Sequence, residues 1–179
     1  LLDPAVVPMT HTPGNVIFIG DADGRNNLIN LIGYAAGVIL KDGNWNPLAR
    51  DITLVFLGDI IGRTNGSLRT YLQVRKLTEQ AEAYGSRVII LLGNHDFQIM
   101  LGRPEPVDVA DPNQEYQGVG IKEEDRDRLK ELLLEDLQKE RILAAWEMYG
   151  YAFVHAMLDT RQYDLAVASL GSFQDFMEE

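Results

Sequence analysis

Oxygen and nitrogen donors recur in this 179-residue chain at one kind of place, directly after an apolar run that ends in glycine. "NVIFIG" (15–20) is followed by Asp21-Ala22-Asp23, "DITLVFLG" (51–58) by Asp59, and "SRVIILLG" (86–93) by Asn94-His95-Asp96. A fourth apolar run, "YAFVHAML" (151–158), carries His155. Asp21, Asp23, Asp59, Asn94 and His155 are the mixture of carboxylate, amide and imidazole donors that divalent Mn, Fe, Zn or Mg favours. Two such metals about 3.5–4 Å apart, bridged by one carboxylate, can activate a water and clamp a phosphoryl oxygen. Carboxylates crowded together repel one another, so a cation would relieve the cluster.

Plainer readings stand beside this one. A strand-end Asp also caps helices, "DADG" and Gly-Asn also make turns, and His155 in an apolar strand can be a core histidine bonded to backbone. Arg63 suits a phosphate because its guanidinium offers a donor fork, but arginine is also an ordinary surface residue. His11 is expected at the surface.

The elements that must position these groups follow from hydrophobic periodicity. The three glycine-terminated runs are short and rich in β-branched residues, as strands buried on both faces are. Between them, 24–40 places Leu28, Ile32 and Ala35–Ala36 on one helical face, and 67–85 places Leu68, Leu72, Leu77 and Ala81 on another, with Gly85 as its stop. Strand, helix, strand, helix, strand predicts an α/β fold with a mostly parallel sheet, in which ligands bind beyond the carboxyl ends of the strands. Residues 102–121 read as a long loop. Residues 122–150 read as one long helix or two shorter ones ended by Gly150, with Leu129, Leu132, Leu133, Leu137, Ile142 and Trp146 available for its apolar stripe. The whole of 1–179 is expected to be one domain.

Bulk composition narrows the function classes. The chain is 46% hydrophobic and 24% charged, with a net charge of −11, which argues against broad binding to nucleic acid or an anionic membrane. It has no cysteine, so disulfides and thiolate zinc sites are excluded. No apolar run approaches the ~20 residues of a membrane span, and the first residues lack the basic and apolar regions of a signal peptide. The expectation is a soluble, intracellular, cytoplasmic protein.

"GDADG", "GDIIGR", "GNHD" and "FVHAML" resemble, in order, the motifs of calcineurin-like metallophosphoesterases: Gly-Asp-x-His-Gly, Gly-Asp-x-x-Asp-Arg-Gly, Gly-Asn-His-Glu/Asp and a later His-Gly/Ala-Gly. The closest likeness is to PPP-type serine/threonine phosphatases and their bacterial relatives. The resemblance implies a layered metallophosphoesterase-like fold and hydrolysis of a phosphoric ester, on a protein or a small molecule, by a metal-activated water. By the same resemblance Asp21 is a first-metal ligand, Asp59 the bridging carboxylate, and Asn94 and His155 second-metal ligands. His95 is the general acid and Arg63 the phosphate clamp.

The departures weigh on activity. Asp23 stands where the family has a ligand histidine, Gly62 where it has the aspartate that orients the catalytic histidine, Thr64 where it has a glycine, and Met157 where a glycine follows the histidine. The family's final ligand histidine has no counterpart after His155, so the carboxyl-terminal part is expected to be truncated. These features predict one tightly held metal at Asp21, Asp23 and Asp59 and a weak site beside Asn94 and His155. An aspartate restored at 62 is expected to raise residual activity modestly. The alternative is a degenerate, weak or inactive subunit with a structural or binding role, its fold completed by a protein partner. A nucleotide-binding doubly wound domain is a thinner third reading, since neither Gly-x-Gly-x-x-Gly nor a P-loop is present.

Overall fold

The computed structural model describes residues 6–8, 15–101 and 121–156. His11, residues 102–120 of the expected loop and the last two residues of the run 151–158 lie outside them. Seven strands and four helices are described, in the order β1 (Val6–Pro8), β2 (Asn15–Ile19), α1 (Asn26–Ala35), β3 (Ile52–Phe56), α2 (Ser67–Glu82), β4 (Arg87–Leu91), α3 (Asn94–Met100), α4 (Glu123–Gln138), β5 (Ile142–Leu143), β6 (Ala145–Met148) and β7 (Tyr151–Phe153).

The three glycine-terminated runs are parallel neighbours, as the alternation of strand and helix predicts. They form the sheet β2-β3-β4-β5, every pair of it parallel. Strand residues alternate between its two faces. Leu54, Phe56, Val88 and Ile90 point into a core shared with α1, α2 and α4, while Val55, Ile89 and Leu91 point into a second core with Trp146, Met148 and Phe153. The helices therefore cover one face and the small sheet β1-β6-β7 covers the other. No helix among the described residues is long and apolar enough to cross a membrane.

The two crossover helices turn different faces inward from those expected. α1 buries Ile29 and Gly33, leaving Leu28 and Ile32 half-buried and Ala35 and Ala36 exposed. Gly33 sets this phase, because a side chain there would overlap the Ile39 side chain that packs against it. α2 buries Leu77 and Ala81 as expected, but with Tyr71 and Val74 rather than Leu72, which stays exposed. A polar anchor decides that phase: Tyr71 donates its hydroxyl to Asp136 of α4 at 2.7 Å.

The reading of 122–150 as helix is half right. α4 ends at Gln138, the chain reverses at Glu140 with φ +55°, and two short strands follow, Ile142–Leu143 and Ala145–Met148. Ile142 and Leu143 extend the parallel sheet, and Trp146 and Met148 face the second core with Glu147 exposed between them. Gly150 is a hairpin turn rather than a helix stop. Tyr149 and Gly150 both have positive φ, at +54° and +77°, as a tight two-residue hairpin demands. The strand that leads to His155 accordingly lies antiparallel to β6 in the second sheet, and it brings the histidine across to the ends of β2, β3 and β4.

Candidate metal centre

Two aspartates at the strand ends take a left-handed backbone, Asp23 at φ +50° and Asp59 at φ +47°. Only a few per cent of non-glycine residues do so, Asp and Asn most readily. Backbone hydrogen bonds hold the two turns together: Asp23 N–H donates to the Asp59 carbonyl at 2.9 Å and Gly24 N–H to the Ile60 carbonyl at 2.8 Å. The turns after β2 and β3 are thus one locked unit, and their carboxylates point to one place.

Asp59 is the centre of it. Its Oδ1 accepts the His95 backbone N–H at 2.9 Å, which leaves Oδ2 for other partners. That single oxygen lies 3.4 Å from His95 Nδ1 and 3.4 Å from His155 Nε2. The donors consequently fall into two triads that share Asp59, one with Asp23 and His95 and one with Asp21 and His155. Asn94 belongs beside the second, its Oδ1 3.0 Å from His155 Nε2. The sequence places Asp21 with Asp23; in space Asp21 stands nearer His155, at 3.9 Å, and is mostly exposed.

The donor set fits a cation. His155 Nδ1 lies 2.8 Å from the Leu57 carbonyl, which can only accept, so in the tautomer with the proton on Nδ1 the ring would offer Nε2 to a cation held beside Asp59 and Asn94. A backbone carbonyl fixing one ring nitrogen while the other faces oxygen donors is the usual setting of a metal-ligating histidine. In the other triad, Asp23 Oδ1 and His95 Nδ1 are buried and face each other as an ion pair at 3.3 Å, yet neither has a hydrogen-bond partner of acceptable geometry among the described residues.

Charges around these groups are arranged asymmetrically. Burial works to raise the Asp23 carboxyl, but His95 and the Arg63 and Arg25 guanidiniums together outweigh it and hold the group below its usual range. Asp23 in turn raises the His95 imidazole, helped by Asp59 and against the effect of burial. Arg63 stands half-exposed, its Nε 3.8 Å from Asp23 Oδ1, at the rim of the cluster.

Asp96 is a residue whose part the sequence reading missed. It is buried, and its two oxygens accept the Gly93 N–H at 3.0 Å and the Ile61 N–H at 3.3 Å, tying the turn after β4 to the turn after β3. Its position three residues past Gly93, at the start of α3, was the available signal, since an acidic residue there accepts from the residue before the helix. The Leu57 carbonyl that orients His155 left no signal, because any residue supplies one.

Residues 11–179 match the calcineurin-like phosphoesterase family, and the chain belongs to that family. It is 36% identical over 86 residues to the uncharacterized protein C1840.07c of Schizosaccharomyces pombe (strain 972 / ATCC 24843), a stretch covering 48% of this chain and 26% of the relative. A mutant of a cold-active protein tyrosine phosphatase is similar in fold, with a TM-score of 0.58 at 15% identity over 87% of this chain and 47% of that one. The cold-active protein-tyrosine phosphatase of a psychrophilic Shewanella species aligns at 20% identity over 69% of this chain and 34% of its own, with a TM-score of 0.45. The chain therefore spans less than half the length of each of these proteins.

Proposed function

We propose that the chain hydrolyses a phosphoric ester with divalent metal held at Asp21, Asp23, Asp59, Asn94 and His155. The observation that carries this reading is the position of Asp59 Oδ2, equidistant at 3.4 Å from an imidazole nitrogen of each triad. One carboxylate oxygen shared between two donor sets is the arrangement that a bridged two-metal site uses, and family membership makes phosphoester chemistry the natural use for it. The metals would supply an acidified water and positive charge for the phosphoryl oxygens.

The remaining work falls to the protein. Asp59 holds the two triads in register, His155 is aimed by Leu57, and Arg63 offers its half-exposed guanidinium to the phosphate. The leaving oxygen takes its proton from His95 or from water. The substrate is a phosphorylated protein or small molecule, and manganese is the first metal to try.

The test is turnover of an aryl phosphate by the purified chain with added manganese, alongside elemental analysis. Activity that Asp59→Asn abolishes supports the reading. A metal content near zero, with no turnover under Mn, Fe, Zn or Mg, supports instead a structural or binding subunit, a reading favoured by the aspartate at position 23 where the family motif has a ligand histidine.

A further inference from the structure

Three features to which the proposed function gives no role, or only a partial one, stand out. The basic groove of Arg69, Lys76 and Lys122 is open and has nothing on it to say what would fill it. The buried Tyr71–Asp136–Arg75 network is closed within the fold by the Tyr71 hydroxyl's hydrogen bond and the Arg75–Asp136 ion pair. The unpartnered pair of Asp23 Oδ1 and His95 Nδ1 goes further.

We propose that His95 is a metal ligand in this chain, binding through Nδ1 together with Asp23 and Asp59, rather than a general acid. The inference rests on the reading that the site holds a divalent metal, and it reassigns one residue of that site.

Three observations converge on it. First, His95 and Asp23 are 7% and 8% exposed, and their facing atoms, an ion pair at 3.3 Å, have no hydrogen bond of acceptable geometry among the described residues. A buried polar atom without a partner costs about 1–3 kcal/mol, so such a pair is seldom tolerated unless something else satisfies it. Second, the spacing is that of ligands around one ion. Nδ1 lies 3.3 Å from Asp23 Oδ1 and 3.4 Å from Asp59 Oδ2. Ligands at ~2.0–2.1 Å from a tetrahedral zinc stand ~3.3–3.4 Å from one another. Third, Gly62 keeps the space clear. A Cβ at that position would lie 2.6 Å from His95 Nδ1 and 2.9 Å from Asp23 Oδ1, in contact with both unpartnered atoms at once.

The chemical consequence is specific. A metal on Nδ1 fixes the neutral tautomer with its proton on Nε2. His95 then keeps an N–H donor for a phosphate oxygen but has no proton to give away, so the leaving oxygen is protonated by water.

The experiment titrates the 179-residue chain, freed of metal, with Zn2+ alone, and compares His95→Gln, Gly62→Ala and His155→Gln. The expected result is that His95→Gln and Gly62→Ala each weaken one zinc site at least tenfold, while His155→Gln weakens the other. Long-range 1H–15N correlation spectra of the wild-type chain give a readout that no variant can spoil by misfolding. Zinc should move His95 to the Nε2–H tautomer with Nδ1 shifted as a bound nitrogen. A His95 ring that keeps its Nδ1 proton at zinc saturation overturns the proposal, as does unchanged zinc affinity in a folded His95→Gln chain. Failure to bind zinc at all overturns it together with the metal-dependent reading. Zinc bound through His95 in a chain that hydrolyses nothing would leave it standing and remove the hydrolase.

Discussion

Asp59 grips His95 at two points, accepting its backbone N–H at Oδ1 over 2.9 Å and facing its ring nitrogen with Oδ2 over 3.4 Å. The turn after β3 and the start of α3 therefore move as one body, and several expected behaviours of the protein follow from how closely they are fitted.

Gly93 is where the fit is tightest. Its φ of −86° suits any residue, so its lack of a side chain matters only for space. An added Cβ would overlap the Asp59 amide nitrogen and Oδ1, which are backbone and a fixed carboxylate rather than flexible ends. Gly93→Ala should destabilise by about 1–3 kcal/mol or more, the usual range for overpacking. It should also lower metal content. A urea-unfolding midpoint equal to that of the wild type would show that the turn has slack.

Gly62→Asp reverses sign between sequence and structure. Motif resemblance suggests a modest gain in activity, whereas the added Cβ would press on His95 Nδ1 and Asp23 Oδ1 at a backbone φ of +153° that side chains rarely adopt. Metal affinity should fall about tenfold or more, on the scale of disturbing a group that holds a ligand in place, and turnover should fall with it. A rise in kcat with metal content intact would refute this.

Asp136, far from the site, is a stability element. It is completely buried and receives the Tyr71 hydroxyl at 2.7 Å, with Arg75 Nε at 3.0 Å and Arg141 Nη1 at 3.3 Å. Burial and the Asp136 charge raise the Tyr71 phenol, so it remains a donor at any working pH. Asp136→Ala takes away the buried partner of Arg75 Nε and leaves that guanidinium only Glu135, at 3.1 Å, among the described residues, and should cost about 3–5 kcal/mol. Tyr71→Phe should cost about 1.5–3 kcal/mol, the value of a hydrogen bond to a charged group. The two losses should not add in the double variant, which chemical denaturation can check.

Asp96 predicts a pH dependence in the metal-free protein. Burial pushes its carboxyl up to about 6, against the Gly93 and Ile61 amides that pull it down. Below about pH 4 the native and unfolded chains both hold the proton, and between about 4 and 6 only the native chain does. Stability from this group is therefore full at low pH and is lost as pH rises through about 6. Subtracting the Asp96→Asn variant removes the slopes of other groups. The wild-type advantage should shrink by roughly 2–3 kcal/mol between pH 4 and 7, at about 1.4 kcal/mol per pKa unit. A difference that stays flat across that range would disprove it.

Arg63 tests the phosphate end. Arg63→Ala should raise KM for an aryl phosphate about tenfold to a hundredfold, the worth of a charge-assisted hydrogen bond, with metal content unchanged. A variant that loses metal instead would mean that Arg63 supports Asp23, to which it already stands close.

The sequence by itself determined the parallel order of the three glycine-ended strands and the gathering of Asp21, Asp23, Asp59 and Asn94 near their ends, because apolar runs of strand length and the polar residues that terminate them are local features. It also carried the family likeness in four short motifs. Tertiary structure decided the rest. The segment 142–148 has residues that suit a helix, yet it forms two short strands, since Ile142 and Leu143 complete a parallel edge and Trp146 and Met148 cover a sheet face that would otherwise meet water. The pairing of Asp21 with His155 and of Asp23 with His95 is set by two left-handed turns and a hairpin from a different sheet, at sequence separations no periodicity can see. The meaning of Gly62 was likewise invisible in one dimension: read along the chain it is a lost carboxylate, and read in space it is the room in which His95 meets Asp23.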